Sequence, residues 1–192
     1  MRRVRQSESQ TASPQSSLIS RVRAQHWSRG HAHAAGCELA ATCDLLVADE
    51  QRATFATPGV RVGLFCHTPA VAVVRALGGG AAGARRAAKL LYTGEPIGAP
   101  EAAAIGLVHE LAPADGAAAA AHALAEKISR ASGAVVRDGK ATLRAATSGD
   151  AAADVEAAYR VARAAMVRGC LHPDSREGAA AFLGKRDPEW ST

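Results

Sequence analysis

Aromatic residues make up only 4% of this chain: three Phe, two Trp and two Tyr. Cysteine is also sparse. Cys37, Cys43, Cys66 and Cys170 contain no C-x-x-C pair, and no secretory signal peptide precedes them, so reduced thiols in an intracellular compartment are expected. No apolar run approaches the length of a membrane span. His31-x-His33 with Cys37 fits no standard zinc spacing and has no apparent fourth ligand, so no metal is expected.

The hydrophobic fraction is 48% and the charged fraction 21%, over 192 residues, which suits one globular domain with a core of its own. Much of the apolar content is alanine, which favours closely packed helices. The net charge of +5 is unevenly spread. Arg2, Arg3, Arg5, Arg21, Arg23 and Arg29 crowd the first 29 residues, opposed only by Glu8. No aromatic residue interleaves with them before Trp27, so nucleic-acid binding is not expected. The segment is rich in Ser and Gln and poor in apolar residues, as a disordered tail or an organellar transit peptide would be. Residues 1–29 are read as an irregular basic segment and 30–192 as a partial domain, with a core at 30–113 and a helical segment at 114–192.

Short elements alternate along the core. GCELAATC (36–43) predicts a short helix, Leu45 to Ala48 a buried strand, and Ala53 to Ala56 a second strand stopped by Pro58-Gly59. Val60 and Val62 alternate with small or polar residues and predict a further extended piece. Thr68-Pro69 reads as a hydroxyl N-cap followed by Pro at the first helical position, with the helix running to Leu77. Gly78 to Gly83 satisfies G-x-G-x-x-G, but a helix before it argues for an interhelical turn rather than a dinucleotide site. Helices are expected at 81–92 and 100–105, a strand at 107–111, and helices at about 116–131, 134–147 and 151–168. A last helix starts near Asp174, with Glu177 completing a capping box.

The chemistry concentrates between Gly30 and Gly63. Glu38 stands in the first turn of a helix entered through Ala34-Ala35-Gly36. Small residues there permit close approach to the backbone, and free N–H groups at a helix start attract negative charge. A carboxylate beside such donors suits stabilising an oxyanion while moving a proton. Taken by itself, a glutamate here reads first as a dipole-complementing or capping residue.

The order of small residues, Cys-Glu-Leu, Cys-Asp and Phe-x-x-Pro resembles the crotonase (enoyl-CoA hydratase/isomerase) superfamily. LLYTGEPIGAPEAAAIGLVHEL (90–111) and REGAAAFLGKR (176–186) extend the resemblance from about Trp27 to Trp190. It implies an α/β crotonase-like (ClpP/crotonase) spiral of short strands and helices, with the N-terminal part missing and a C-terminal helical segment. It implies an acyl-CoA ligand, with the CoA thioester as substrate and no separate cofactor. By the resemblance, Ala35 supplies an oxyanion-hole N–H and Glu38 is the catalytic acid/base. The family's second glutamate is absent, its position being Gly59. Phe182 and Lys185 match residues that reach a neighbour's CoA, which implies a homotrimer or larger oligomer; a core-anchoring Phe182 and a solvated Lys185 are the other reading. His67 lies where the family brings the chain near the acyl group, and a capping or exposed histidine is its alternative. FATPGVRVGLFCHTPAVAVVRALG (55–78) is similar to a mitochondrial subgroup, which implies a mitochondrial location, with cytoplasmic as the alternative. The expected function is hydration of a 2-enoyl-CoA with an incomplete acid/base pair, in fatty-acid metabolism. The alternative is a non-catalytic protein that binds acyl-CoA or associates with crotonase subunits.

Overall fold

The computed structural model describes residues 26–147 and 155–191. The elements run β1 (His26–Ser28), β2 (His31–His33), α1 (Ala35–Ala41), β3 (Leu46–Asp49) and β4 (Thr54–Ala56). A 3₁₀ turn (Pro58–Val62) leads into α2 (His67–Ala76) and α3 (Gly80–Thr93). Then come β5 (Ile97–Gly98), α4 (Ala99–Ala104), β6 (Glu110–Ala112) and α5 (Ala117–Ser129). Three further helices follow: α6 (Gly133–Thr147), α7 (Val155–Leu171) and α8 (Pro173–Gly184).

Two small sheets form. One has the order β1-β3-β6 and is parallel throughout. The other has the order β2-β4-β5, with β2 parallel and β5 antiparallel to β4. Strand β3 is buried on both faces, and its period of two divides it between two cores. Leu46 and Ala48 join Phe55, Val73, Leu77 and Leu90 beneath the helices. Val47 turns the other way, onto Ala112, Ala117 and Ala121. The strand ends on Asp49, whose carboxylate is fully buried and fully bonded. It accepts the Asp115 N–H at 2.9 Å and the Gln51 and Arg52 N–H groups at 3.0 Å. The Asp115 amide does most to hold this carboxyl below its usual range, against the opposing effect of burial.

Several local expectations are corrected. His26–Ser28 lies within the segment read as irregular, yet pairs with Leu46–Ala48 as the outermost strand of its sheet among the described residues; residues 1–25 lie outside the described residues. Val60 and Val62 belong to the 3₁₀ turn, because Pro58 starts a helical turn and Gly63 closes it at φ +78. Leu107 and Val108 do not begin a strand. Their N–H groups return to the Ala102 carbonyl, at 2.8 and 3.2 Å, as the chain leaves α4 through Gly106 at φ +91. The glycine run is an interhelical turn, with Gly78, Gly79 and Gly80 all at positive φ. The predicted start of a helix at 151 falls outside the described residues.

At the C-terminus, Asp174 and Glu177 do not form a capping box. His172 is the N-cap of α8, its ring Nδ1 accepting the Asp174 N–H at 3.2 Å. The buried Asp174 carboxylate instead ties two distant segments to its own helix. It accepts the Ser132 hydroxyl at 2.5 Å ahead of α6, and the Ser191 N–H and hydroxyl at 2.8 and 2.7 Å. Glu177 pairs with both terminal nitrogens of Arg186, and Trp190 donates its indole N–H to the Arg130 carbonyl at 2.6 Å. The last residues thus strap α8 to the turn between α5 and α6.

Candidate active site

Strand β2 delivers the chain to α1 through a sharp turn at Ala34. This residue has φ 50 and ψ −117, the conformation of the first central residue of a type II′ turn, where glycine is favoured. Its N–H is tied to the Ala56 carbonyl at 2.9 Å, so the turn is fixed to β4. Helix bonding begins with the Glu38 N–H to the Ala34 carbonyl at 3.1 Å. Among the described residues nothing accepts from the N–H of Ala35, as expected at a helix start. Ala35 is exposed and Glu38 half-buried.

Cys37 and Glu38 diverge from this first turn. Cys37 is fully buried, and burial, helped by the nearby Cys66, pushes its thiol up to about 11. Glu38 faces α2, where its Oε2 accepts the Thr68 hydroxyl at 2.9 Å. The helix α2 starts at His67, with Cys66 as its N-cap and no side-chain cap bond. Thr68 is therefore inside the first turn, and its hydroxyl is spent across the helix interface rather than as the cap the sequence suggested. The neighbouring His67 stacks edge-on against Phe65, with ring centroids 5.1 Å apart.

The loop carrying Gly59 is anchored from below. Thr57 is fully buried and donates its hydroxyl to the Leu90 carbonyl of α3 at 2.9 Å. Gly59 has no room for a side chain. A Cβ there would lie 2.2 Å from the Leu64 carbonyl oxygen and 2.9 Å from the Cys66 Sγ. The position that the family resemblance assigns to a second glutamate is thus filled by the chain's own 64–66 turn.

Phe182 and Lys185 lie at the end of α8, far along the chain. Phe182 is 83% exposed, so it is not a core anchor. Lys185 is exposed and caps the helix at φ 50. His31 and His33 share the Thr54 hydroxyl, at 2.7 and 3.0 Å, and among the described residues no third ligand joins them. The long-range partners of Thr57 and Thr68 were not legible in the sequence. Each looks locally like a loop or cap threonine, and only the tertiary packing gives it a distant partner.

The enoyl-CoA hydratase/isomerase family model matches residues 18–192. The chain belongs to that family. Enoyl-CoA hydratase domain-containing protein 3, mitochondrial, of Mus musculus is 44% identical over 162 residues, covering 84% of this chain and 51% of that one. The Homo sapiens protein of the same name is 43% identical, covering 84% and 50%. The chain therefore spans about half the length of these relatives. The crystal structure of human enoyl-CoA hydratase domain-containing protein 3 superposes with a TM-score of 0.76 at 39% identity, covering 92% of this chain and 68% of that one. An enoyl-CoA hydratase from Mycobacterium smegmatis gives 0.76 at 38% identity, covering 91% and 65%. The fold is the crotonase α/β fold.

Proposed function

We propose that this chain binds an acyl-CoA thioester and, where it acts on one, adds water across a 2-enoyl-CoA. The observation that carries the reading is Glu38, half-buried in the first turn of α1, three residues after an Ala35 N–H with no acceptor among the described residues. The Ala35 N–H hydrogen-bonds the thioester carbonyl oxygen and draws electron density from C3. Glu38 takes a proton from water as its oxygen adds to C3. The negative charge that develops on the carbonyl oxygen is stabilised by the Ala35 N–H, and Glu38 then returns the proton it took to C2, which completes the hydration and restores the carboxylate. One positioned acid/base contributes about 10²–10⁴-fold and one oxyanion donor about 10²–10³-fold. With a single carboxylate, the activity is weak beside that of a paired site. The chemistry needs no cofactor beyond the CoA of the substrate.

The test is the loss of the conjugated enoyl thioester absorbance with the purified chain. Glu38→Gln is expected to lower the rate by about 100-fold or more; an unchanged rate removes Glu38 from the chemistry.

A second reading has its own observation. The space beside Gly59 is filled by backbone, and exposed apolar residues line α7 and α8: Met166, Leu171, Phe182 and Leu183. Both favour a non-catalytic acyl-CoA-binding protein, or one that assembles with crotonase subunits. In either reading Phe182 offers a ring to the adenine of CoA and Lys185 an ammonium to its phosphate. The exposed C-terminal helices fit a homotrimer or larger oligomer. The mitochondrial names of the relatives and the Arg- and Ser-rich start support a mitochondrial location.

A further inference from the structure

We infer that Thr68 is the positioning residue for Glu38, taking over part of the orienting role that a second carboxylate would otherwise have; the inference rests on the hydration reading above. Three observations carry it. First, the Thr68 hydroxyl donates to Glu38 Oε2 at 2.9 Å, across 30 residues of sequence. One carboxylate oxygen is thereby fixed and the other left for water. The hydroxyl can still accept a hydrogen bond from that same water.

Second, the donor is rigidly mounted. Thr68 is β-branched, which narrows its χ1 in a helix to two rotamers. It sits between the N-cap of α2 and the buried Pro69, whose ring locks the backbone of the first turn. Val73 and Leu77, one and two turns on, are fully buried in the core beneath. A glutamate side chain has several free rotations, and this solvent-exposed hydrogen bond restricts them before substrate arrives.

Third, among the described residues the neighbouring positions do not supply this contact. Position 59 cannot carry a side chain in this fold, and His67 turns its ring onto Phe65. The helix α2 carries no acidic residue in its own first turn. The carboxylate opposite its positive end is supplied by Glu38 from α1.

The experiment measures kcat and KM for 2-enoyl-CoA hydration in the full chain and in Thr68→Val, Thr68→Ser, Glu38→Gln and the Glu38→Gln/Thr68→Val double variant. Thr68→Val is expected to lower kcat about 10-fold, the scale of a hydrogen bond to a charged group, with KM within about twofold. Thr68→Ser restores most of the rate, since it keeps the hydroxyl. In the Glu38→Gln background, Thr68→Val changes the rate by less than about twofold, because the two act as a unit. Circular dichroism melting of each variant separates this from unfolding. A Thr68→Val variant as active as the parent, or one equally damaging with Glu38 already replaced, overturns the inference alone. A parent chain without turnover, or one indifferent to Glu38→Gln, overturns the hydration reading and this inference together.

Discussion

The amide N–H of Gly59 donates to the thiol of Cys66 across 3.4 Å, and Leu64 returns its own N–H to the Gly59 carbonyl at 2.9 Å. The turn at 64–66 is therefore folded down onto Gly59, closing the place from which a second carboxylate would have to project. Placing a carboxylate at this position is not a matter of one substitution. Gly59→Glu is expected to destabilise the chain by about 3 kcal/mol or more, since backbone and not only side chains must move. It should bring no gain in enoyl-CoA hydration. Urea midpoints and a rate measurement on the soluble variant check both halves; a stable Gly59→Glu with raised activity would show that the turn yields easily.

Ala34 holds a conformation that glycine adopts freely. Ala34→Gly is expected to raise stability by about 1 kcal/mol, the strain relieved outweighing the added freedom of the unfolded chain. The midpoint of a denaturant melt reads the sign directly. A decrease would mean that the Ala34 methyl group contributes packing worth more than its strain.

Asp174 predicts a pH effect. The Ser132 hydroxyl, followed by the Ser191 N–H and hydroxyl, holds its carboxyl down to about 2. A carboxyl lowered on folding adds stability that is fully present above its unfolded value near 4 and disappears as pH falls through the folded value. Melting temperatures should therefore fall between about pH 4 and pH 2, and less steeply in Asp174→Asn. Ser132→Ala removes the leading donor and should cost about 1–3 kcal/mol at neutral pH.

The four thiols should separate by reactivity. Cys37 is fully buried with its thiol raised to about 11, so on the order of one in 10⁴ is ionised at neutral pH. Cys170 is exposed on α7. A thiol reagent is expected to modify Cys170 promptly and Cys37 only after denaturant is added. Mass spectrometry of the alkylated chain assigns each site.

Phe182 projects into solvent, so Phe182→Ala should change unfolding free energy by no more than about 0.5 kcal/mol. If the ring meets a CoA adenine on a neighbouring copy, the same variant weakens CoA binding or self-association. Calorimetry with CoA and sedimentation of the chain measure these separately.

The fold was legible where periodicity and punctuation agree. Helix α3 lies between Gly79 and a left-handed Gly94, and β3 reads as a continuous apolar run; both match their expected places closely. The place of Glu38 in the first turn of a short helix was legible from the small residues Ala34-Ala35-Gly36 that precede it. Legibility failed where a local reading competed with a distant partner. Thr68-Pro69 has the form of a cap, yet the hydroxyl is used 30 residues away. Asp174 and Glu177 have the spacing of a capping box, yet bond to Ser132, Ser191 and Arg186. Val60 and Val62 alternate as in a strand, but no partner strand meets them among the described residues and Pro58 starts a turn instead. Strand β1 has three described residues, too few to show a period.

Among the described residues, no two paired strands are joined by a hairpin. His26 pairs with Leu46, His31 with Thr54, Val47 with Glu110, and Thr54 with Gly98. Each sheet must therefore wait for a remote stretch of chain, and loop closure precedes any gain from pairing. During synthesis, the segment from Trp27 to Ala56 leaves the ribosome long before β6 exists to cover the far edge of β3. The apolar run Leu46–Ala48 is thus exposed for the interval in which about 60 further residues are made, several seconds at ordinary translation rates. Chaperone dependence should follow from this order of pairing, and refolding from denaturant should be slower than the high helix content alone would suggest.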